Sequence, residues 1–294
     1  MFQDASYQRQ ARGFDSDLVE PDRIKIAKSW FDKSNADYWR NGRGYEIADF
    51  LGGKTSERWL TVGDGRFGLD AIRLGEKGVC SVLPTNLTDV LLKVSKQRGL
   101  IPDYRVENAE RLSFPNSSFD YVFCKDSYHH FPRPMIALYE MLRVAKKGVI
   151  LVEPNDRATA LPKIVKDFLN SAIGRTRHPD QSSYEEDGNY IFTISRREIE
   201  KVALGMNIPQ VAFKGLCDYY VPGLEFVSPQ SPLGRKMRRH IAIRDVLCRL
   251  RLDQHGILMA AIFLVPLPDD TQAAMRSAGW SILDLPRNPY YAAN

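Results

Sequence analysis

The chain has 294 residues, 44% of them hydrophobic and 26% charged, the balance of an ordinary globular protein with room for one α/β domain and additions. Its net charge of +5 is local: Arg235 to Arg251 carries seven Lys/Arg against Asp245, so that segment is +6 and the remainder is −1. This distribution argues against a general nucleic-acid-binding surface and leaves one anionic contact at most.

The N-terminus, MFQDASYQRQARGFD, lacks an apolar core of signal-peptide length, and the longest apolar run, Ile257 to Leu267, is too short to span a bilayer. A soluble, cytoplasmic protein is the expectation. Cys80, Cys124, Cys217 and Cys248 stand apart with no C-x-x-C pair and no cysteine-histidine cluster in sequence. Neither a structural zinc nor a disulfide framework is indicated, and no metal is expected.

Residues 1 to 21 read as polar and irregular. From about Pro21 to Trp39, Ile24, Ile26, Ala27, Trp30, Phe31, Ala36 and Trp39 recur at roughly helical spacing, giving one or two helices with an aromatic face. The pattern leaves open whether that face packs on the core or caps a ligand with Trp30, Tyr38 and Trp39. Tyr45 to Leu51 predicts a short helix stopped by Gly52-Gly53.

The organising stretch follows. Trp59-Leu60-Thr61-Val62 is a short β-prone segment that breaks into Gly63-Asp64-Gly65-Arg66-Phe67-Gly68, after which Leu69, Ala71, Ile72 and Leu74 fall at helical spacing. A strand running through a glycine turn into a helix offers backbone N–H groups and the positive dipole end to a ligand above the strand. Gly63, Gly65 and Gly68 also satisfy the G-x-G-x-x-G pattern of dinucleotide-binding folds, so this stretch alone does not name the ligand.

A second strand over Val79 to Leu83 ends at Pro84, and a helix runs from Asp89 to Arg98. Tyr104 to Val106, Phe119 to Cys124 and Val149 to Glu153 supply strands three to five, with a helix over Pro134 to Val144. Five short apolar strands alternating with helices predict a doubly wound parallel sheet. Residues 155–192 break the rhythm with a helix-like piece, Leu161 to Ile173, and a polar loop from Gly174 to Tyr190, read as an inserted lid or substrate loop. Ser195-Arg196-Arg197-Glu198 is a capping box opening a helix to Leu204, and Gln210 to Leu216 and Leu258 to Val265 are the sixth and seventh strands.

Between those strands the basic segment carries Leu233, Met237, Ile241, Leu247 and Leu250 near helical spacing. It reads either as a solvated basic face on a packed helix or as a contact for a phosphate-bearing substrate or an anionic membrane surface. The tail from Asp269 holds a short helix and a Tyr/Pro-rich end, suited to closing a pocket or a dimer contact. The expected architecture is α/β, a doubly wound, Rossmann-like seven-stranded sheet with helices on both faces. An N-terminal helical cap spans 1–57, the main domain 58–268 with an insertion at 155–192, and a C-terminal extension 269–294.

The stretch Asn108-Ala109-Glu110-Arg111-Leu112-Ser113-Phe114-Pro115-Asn116-Ser117-Ser118-Phe119-Asp120 resembles the D-A-E-x-L-P-F-P-D-x-S-F-D element of class I S-adenosylmethionine-dependent methyltransferases, in particular the type 11 domain group. The likeness spans about Arg58 to Asn155 and continues through Ser127-Tyr128-His129-His130-Phe131 and Met141 to Gly148. Dinucleotide dehydrogenases lack this spacing after the third strand. The resemblance implies S-adenosylmethionine as cofactor, with Gly63, Asp64 and Gly65 at its methionine part, Asn86 and Leu87 at the ribose position, Asn108 and Ala109 at the adenine, and Lys125, Asp126 and Ser127 bordering the methyl donor. Two positions depart from the family, which commonly has acids where this chain has Thr61 and Asn86. A neutral amide offers the ribose one acceptor oxygen in place of an ionised carboxylate, and Asp64 is the candidate to meet the cofactor's ammonium instead.

The likeness to small-molecule and sugar O-methyltransferases further implies that His129 is a general base, with Glu153 orienting it and His130 structural or exchanging roles with it. Tyr184, Asn189, Tyr190, Tyr219 and Tyr220 are candidates to line an acceptor pocket for a sugar, glycan precursor or polar aromatic. Methylation of a small-molecule hydroxyl is the leading expectation; an N-methyltransferase acting on an amine and a non-catalytic scaffold of the same fold are the alternatives.

Overall fold

The computed structural model describes residues 2–13, 20–52, 56–157 and 189–291, together with residues 165, 168–170, 172 and 184. Strands β1 (Arg58–Val62), β2 (Ser81–Asn86), β3 (Arg105–Val106), β4 (Phe119–Lys125), β5 (Ala145–Pro154), β6 (Gln210–Leu216), β7 (Ile257–Phe263) and β8 (Ser281–Asp284) form one sheet in the order β3-β2-β1-β4-β5-β7-β6-β8. β1 to β5 are parallel, as the alternation with helices predicts, whereas β7 runs antiparallel between β5 and β6, and β8 pairs antiparallel with β6.

Side-chain alternation explains why the central strands read as unbroken apolar runs. Leu60, Val122, Leu151 and Ala260 join one core, and Trp59, Phe123, Ile150 and Ala261 the other, so both faces of the same strands are buried. The first core is closed by α7 (Pro134–Val144) through Leu138 and Met141 and by α8 (Arg196–Gly205) through Ile199 and Val202. The second is closed by α4 (Ala48–Leu51), by Leu74 of α5 (Leu69–Glu76) and by Met275 of the last helix, α10 (Asp269–Ser277). The capping box holds, with Glu198 N–H donating to Ser195 Oγ over 3.2 Å.

The sequence reading differs from the structure at several places. The sheet has eight strands rather than seven, because the 269–294 extension contributes β8 as well as α10; four residues with ends exposed give too weak an alternation to read. β2 begins and ends later than expected and continues through Pro84, where β3 offers no partner, since it reaches only Thr85 and Asn86. The N-terminus is not irregular: Phe2–Gly13 is a helix, α1, seated by Ser6 Oγ–H on Asn189 Oδ1 (2.6 Å) and by Gln10 Nε2–H on the His130 carbonyl (2.8 Å). Such long-range hydrogen bonds leave no periodic trace. In the basic helix α9 (Pro232–Arg249) the inward stripe is Gly234, Met237, Ile241, and Leu250 points to solvent at 63% exposure. The helix expected over Leu161 to Ile173 and the loop from Gly174 onward lie largely outside the described residues, although 165, 168–170 and 172 are helical.

The cap consists of α1, α2 (Pro21–Ser29), α3 (Ala36–Gly42) and a 3-10 turn at Arg43–Tyr45; α6 (Val90–Gln97) follows β2. The strand order reverses between β1 and β4, the switch point where a crevice opens at the carboxyl ends of such sheets. Among the described residues no helix is long and apolar enough to cross a membrane.

Candidate active site

The glycine turn is held from within by Asp64. Its carboxylate accepts Asp70 N–H (3.0 Å), Ala71 N–H (2.9 Å) and Thr61 Oγ1–H (2.8 Å), which caps the first turn of α5. Thr61, at the position where the family commonly has an acid, is thus hydrogen-bonded to Asp64. Three of about four acceptor positions on Asp64 are spent inside the protein, so its main work is to shape the loop. Gly63 has φ +78°, and a Cβ there would lie 2.5 Å from Ser127 Cβ; Ser127 Oγ–H donates to the Gly63 carbonyl over 2.8 Å. The turn and the end of β4 are thus locked together.

A second buried acid, Asp70, accepts a hydrogen bond from Tyr45 Oη. Burial and the neighbouring Asp64 charge push its carboxyl well above the usual range, against the pull of Lys125 and the Tyr45 hydrogen bond. A carboxyl raised in the folded state is protonated there while its unfolded counterpart ionises. Its contribution to stability is complete below the ordinary aspartate pKa of about 3.9 and is lost as pH rises through the folded value. Asp70→Asn, which keeps an acceptor for Tyr45, is expected to flatten the decline in melting temperature between mildly acidic and mildly alkaline pH; parallel curves for variant and wild type would contradict this.

The turn with the two histidines follows β4. Glu153 on β5 is fully buried and accepts Ser127 N–H and Tyr128 N–H at Oε1, each at 3.0 Å, and His129 Nδ1 at Oε2, at 2.6 Å, with the Cys124 thiol a weaker donor 3.8 Å from Oε1. The carboxylate thereby sets both the 3-10 turn Tyr128–His130 and the histidine's ring orientation. The His130 ring lies 3.9 Å from that of His129, and its carbonyl receives Gln10 and Asn189 Nδ2–H (2.9 Å). Asp126, at φ +49°, carries the strain of a non-glycine residue in the left-handed region, a feature that collects at functional sites. It pairs with Lys125; burial would raise the Asp126 carboxyl, but Lys125 and His129 bring it below its ordinary value.

These groups share one cavity of about 810 Å³, within the usual range for small-molecule sites. Gly63, Asp64, Gly65, Lys125, Asp126, Ser127, His129 and His130 are all on its wall, with Pro154 beside Glu153. The roof comes from the cap: Trp30, Asp37, Arg40 and Tyr45, joined by Tyr220 and Glu225 from the loop after β6. Of the three aromatic cap candidates only Trp30 lines it, packed on Phe67 of the turn at 6.4 Å; Tyr38 bonds Glu76 and Trp39 is partly exposed against Arg43 and Arg238.

Other expected residues lie elsewhere. Asn86, Leu87, Asn108 and Ala109 sit at the carboxyl ends of β2 and β3 but not on this cavity's wall; Asn86 Nδ2 donates to the Thr88 carbonyl (3.2 Å) and Asn108 Oδ1 accepts Glu110 N–H (2.9 Å). Asn189 is buried between Ser6 and His130, anchoring the cap. Tyr184 and Tyr190 pack edge to face at 5.5 Å, half exposed and off the wall, and Tyr219 stacks on His240. Sequence reasoning missed Asp70, Tyr45, Asp37, Arg40 and Glu225. Asp70 in the first turn after the glycines and the Asp37/Arg40 pair one turn apart on α3 are the signals that were there to be read.

The methyltransferase-domain family model matches residues 60–152, which hold the glycine turn and the His129 turn and end one residue before Glu153. The 2-methyl-6-phytyl-1,4-hydroquinone methyltransferase of Synechocystis sp. is 33% identical over 87 residues, 28% of this chain and 27% of that protein, so the chain matches only about a quarter of the relative's length. Among solved structures, a chain of the complex between the Haloferax volcanii Trm112 methyltransferase activator and a methyltransferase superposes with a TM-score of 0.52 at 13% identity, covering 86% of this chain and 98% of that one. A methyltransferase from Mesorhizobium loti gives 0.48 at 13% identity, covering 74% and 95%. The cofactor of this family is S-adenosylmethionine, and a cavity walled by carboxylates beside guanidinium and ammonium groups has the donor set for a molecule bearing an ammonium, a sulfonium and a carboxylate. Residues 60–152 thus match a methyltransferase domain, the likeness to which the sequence motifs point.

Proposed function

We propose that the protein methylates a hydroxyl group of a small polar molecule, such as a sugar or glycan precursor, with His129 as general base. The observation behind this reading is the 2.6 Å contact between His129 Nδ1 and the buried Glu153 on the cavity wall, beside the Gly63–Gly65 turn. S-adenosylmethionine supplies the electrophilic methyl group. Its methionine part would rest at Gly63, Gly65 and Asp126, and its adenosine part toward Asn86, Leu87, Asn108 and Ala109.

Glu153 holds the His129 proton on Nδ1, which directs Nε2 to take the proton of an attacking hydroxyl, and then stabilises the imidazolium that results. Trp30, Arg40 and Tyr220 exclude water above the reacting atoms and position the acceptor. Calorimetric titration tests the foundation: stoichiometric binding of S-adenosylmethionine and of its demethylated product, with none of NAD, is the expected result. Absence of both would put the non-catalytic scaffold first.

A second reading is favoured by the surface of α9. Ile243, Val246 and Leu250 are exposed along one stripe beside Arg239 and Arg249, a pairing suited to an anionic membrane. A membrane-borne phenol, the acceptor type for which the Synechocystis relative is named, would be delivered there, and His129 would deprotonate its hydroxyl in the same way.

A further inference from the structure

Three residues that the sequence keeps far apart meet next to Asp218, the partner of Arg40. Cys217 directly follows β6, Cys248 lies in the last turn of α9 and His255 in the loop before β7; one ligand atom from each lies within 4.8 Å of the others. Cys217 is fully buried, and its Sγ is 3.6 Å from that of Cys248.

We propose that Cys217, Cys248 and His255 form a binding site for one zinc-type transition-metal ion. Tetrahedral zinc with bonds of about 2.3 Å to sulfur sets two thiolates about 3.75 Å apart, close to the separation found here. A disulfide would need about 2.05 Å. Two thiolates with an imidazole form a soft-to-borderline set that selects zinc over magnesium or calcium.

The surroundings are built around the imidazole. A Cβ on Gly215 would come within 2.3 Å of His255 Cγ and Nδ1, so β6 gives up a side chain where the ring sits. Asn155 fixes the histidine's turn by donating from Nδ2 to the His255 carbonyl and from its backbone N–H to the Gly256 carbonyl, each over 2.9 Å. Arg43 donates to the Cys217 carbonyl over 2.7 Å. The next residue, Asp218, pairs with Arg40 of the cavity roof. The bound metal ties α9, β6 and the 250–256 loop together and steadies that roof; the site stands whether or not the cavity transfers methyl groups.

The test uses the full chain purified without chelator. Elemental analysis should find close to one zinc per chain. Titrating the metal-free protein with Co²⁺ alone should give thiolate charge-transfer absorption and the intense visible bands of tetrahedral cobalt, both lost in Cys248→Ser and in His255→Ala and kept in Cys80→Ser. Chelator should lower the melting temperature of the wild type but not of Cys248→Ser. A wild-type chain with cooperative melting that retains no zinc and gives no cobalt bands would overturn the site and leave a hydrogen-bonded thiol pair, and recovery of a Cys217–Cys248 disulfide under native conditions would overturn it equally.

Discussion

Replacing His129 with alanine should lower kcat toward a hydroxyl acceptor by about 10²- to 10⁴-fold while leaving S-adenosylmethionine affinity close to wild type, because the loss is confined to proton removal during attack. Glu153→Gln should behave similarly for a different reason. Glutamine still offers an acceptor oxygen to Ser127 and Tyr128 N–H, but the amide N–H₂ facing His129 Nδ1 forces that nitrogen to accept, which moves the ring proton to Nε2 and removes the basic lone pair. The acid limb of the kcat/KM profile, which reports protonation of the free base, should disappear in His129→Ala. Circular dichroism melts separate this from misfolding. A His129→Ala variant within twofold of wild-type kcat would defeat the base assignment and favour an amine acceptor, which arrives neutral and needs no base.

Gly63→Ala should cost about 2–5 kcal/mol of stability and abolish measurable cofactor binding. The left-handed backbone alone costs about 1–2 kcal/mol for a residue with a Cβ, and the clash at 2.5 Å with Ser127 adds an overpacking cost of about 1–3 kcal/mol. Ser127 has no easy retreat, since its N–H is held by Glu153 and its hydroxyl by the Gly63 carbonyl. Gly75→Ala is the matched control: it lies within α5, a Cβ there meets nothing within 4 Å, and the change should stabilise the helix by about 0.5–1 kcal/mol. Adding Ser127→Gly to Gly63→Ala should recover part of the loss by removing the clash but not the backbone strain. Calorimetry and thermal melts on the three variants decide it, and wild-type binding by Gly63→Ala would remove the turn from the cofactor site.

What was readable in the sequence lay in local, repeated or consecutive patterns. Strand-turn-helix order around Gly63, the capping box at Ser195 and the apolar runs of β4, β5 and β7 each express a constraint that acts within about ten residues. β8 is a weaker case: its four residues are specified mainly by pairing with β6. α1 is another, fixed by Asn189 and His130 from 183 and 120 residues away.

By itself the sequence determined the parallel half of the sheet, the glycine turn at its switch point and the methyltransferase-domain likeness of the 60–152 segment, because hydrophobic period, turn chemistry and motif spacing are carried by neighbours along the chain. Only the tertiary structure decided that Thr61 and Asp64 are hydrogen-bonded partners, that Asn189 ties α1 to the His130 turn, and that Arg40, Tyr220 and Glu225 line the cavity. It also brought Cys217, Cys248 and His255 together from positions that read as unrelated. The physical reason is the same in each case: a hydrogen bond or a ligand set acts over a few ångströms in space, and the chain that supplies its members imposes no spacing on them.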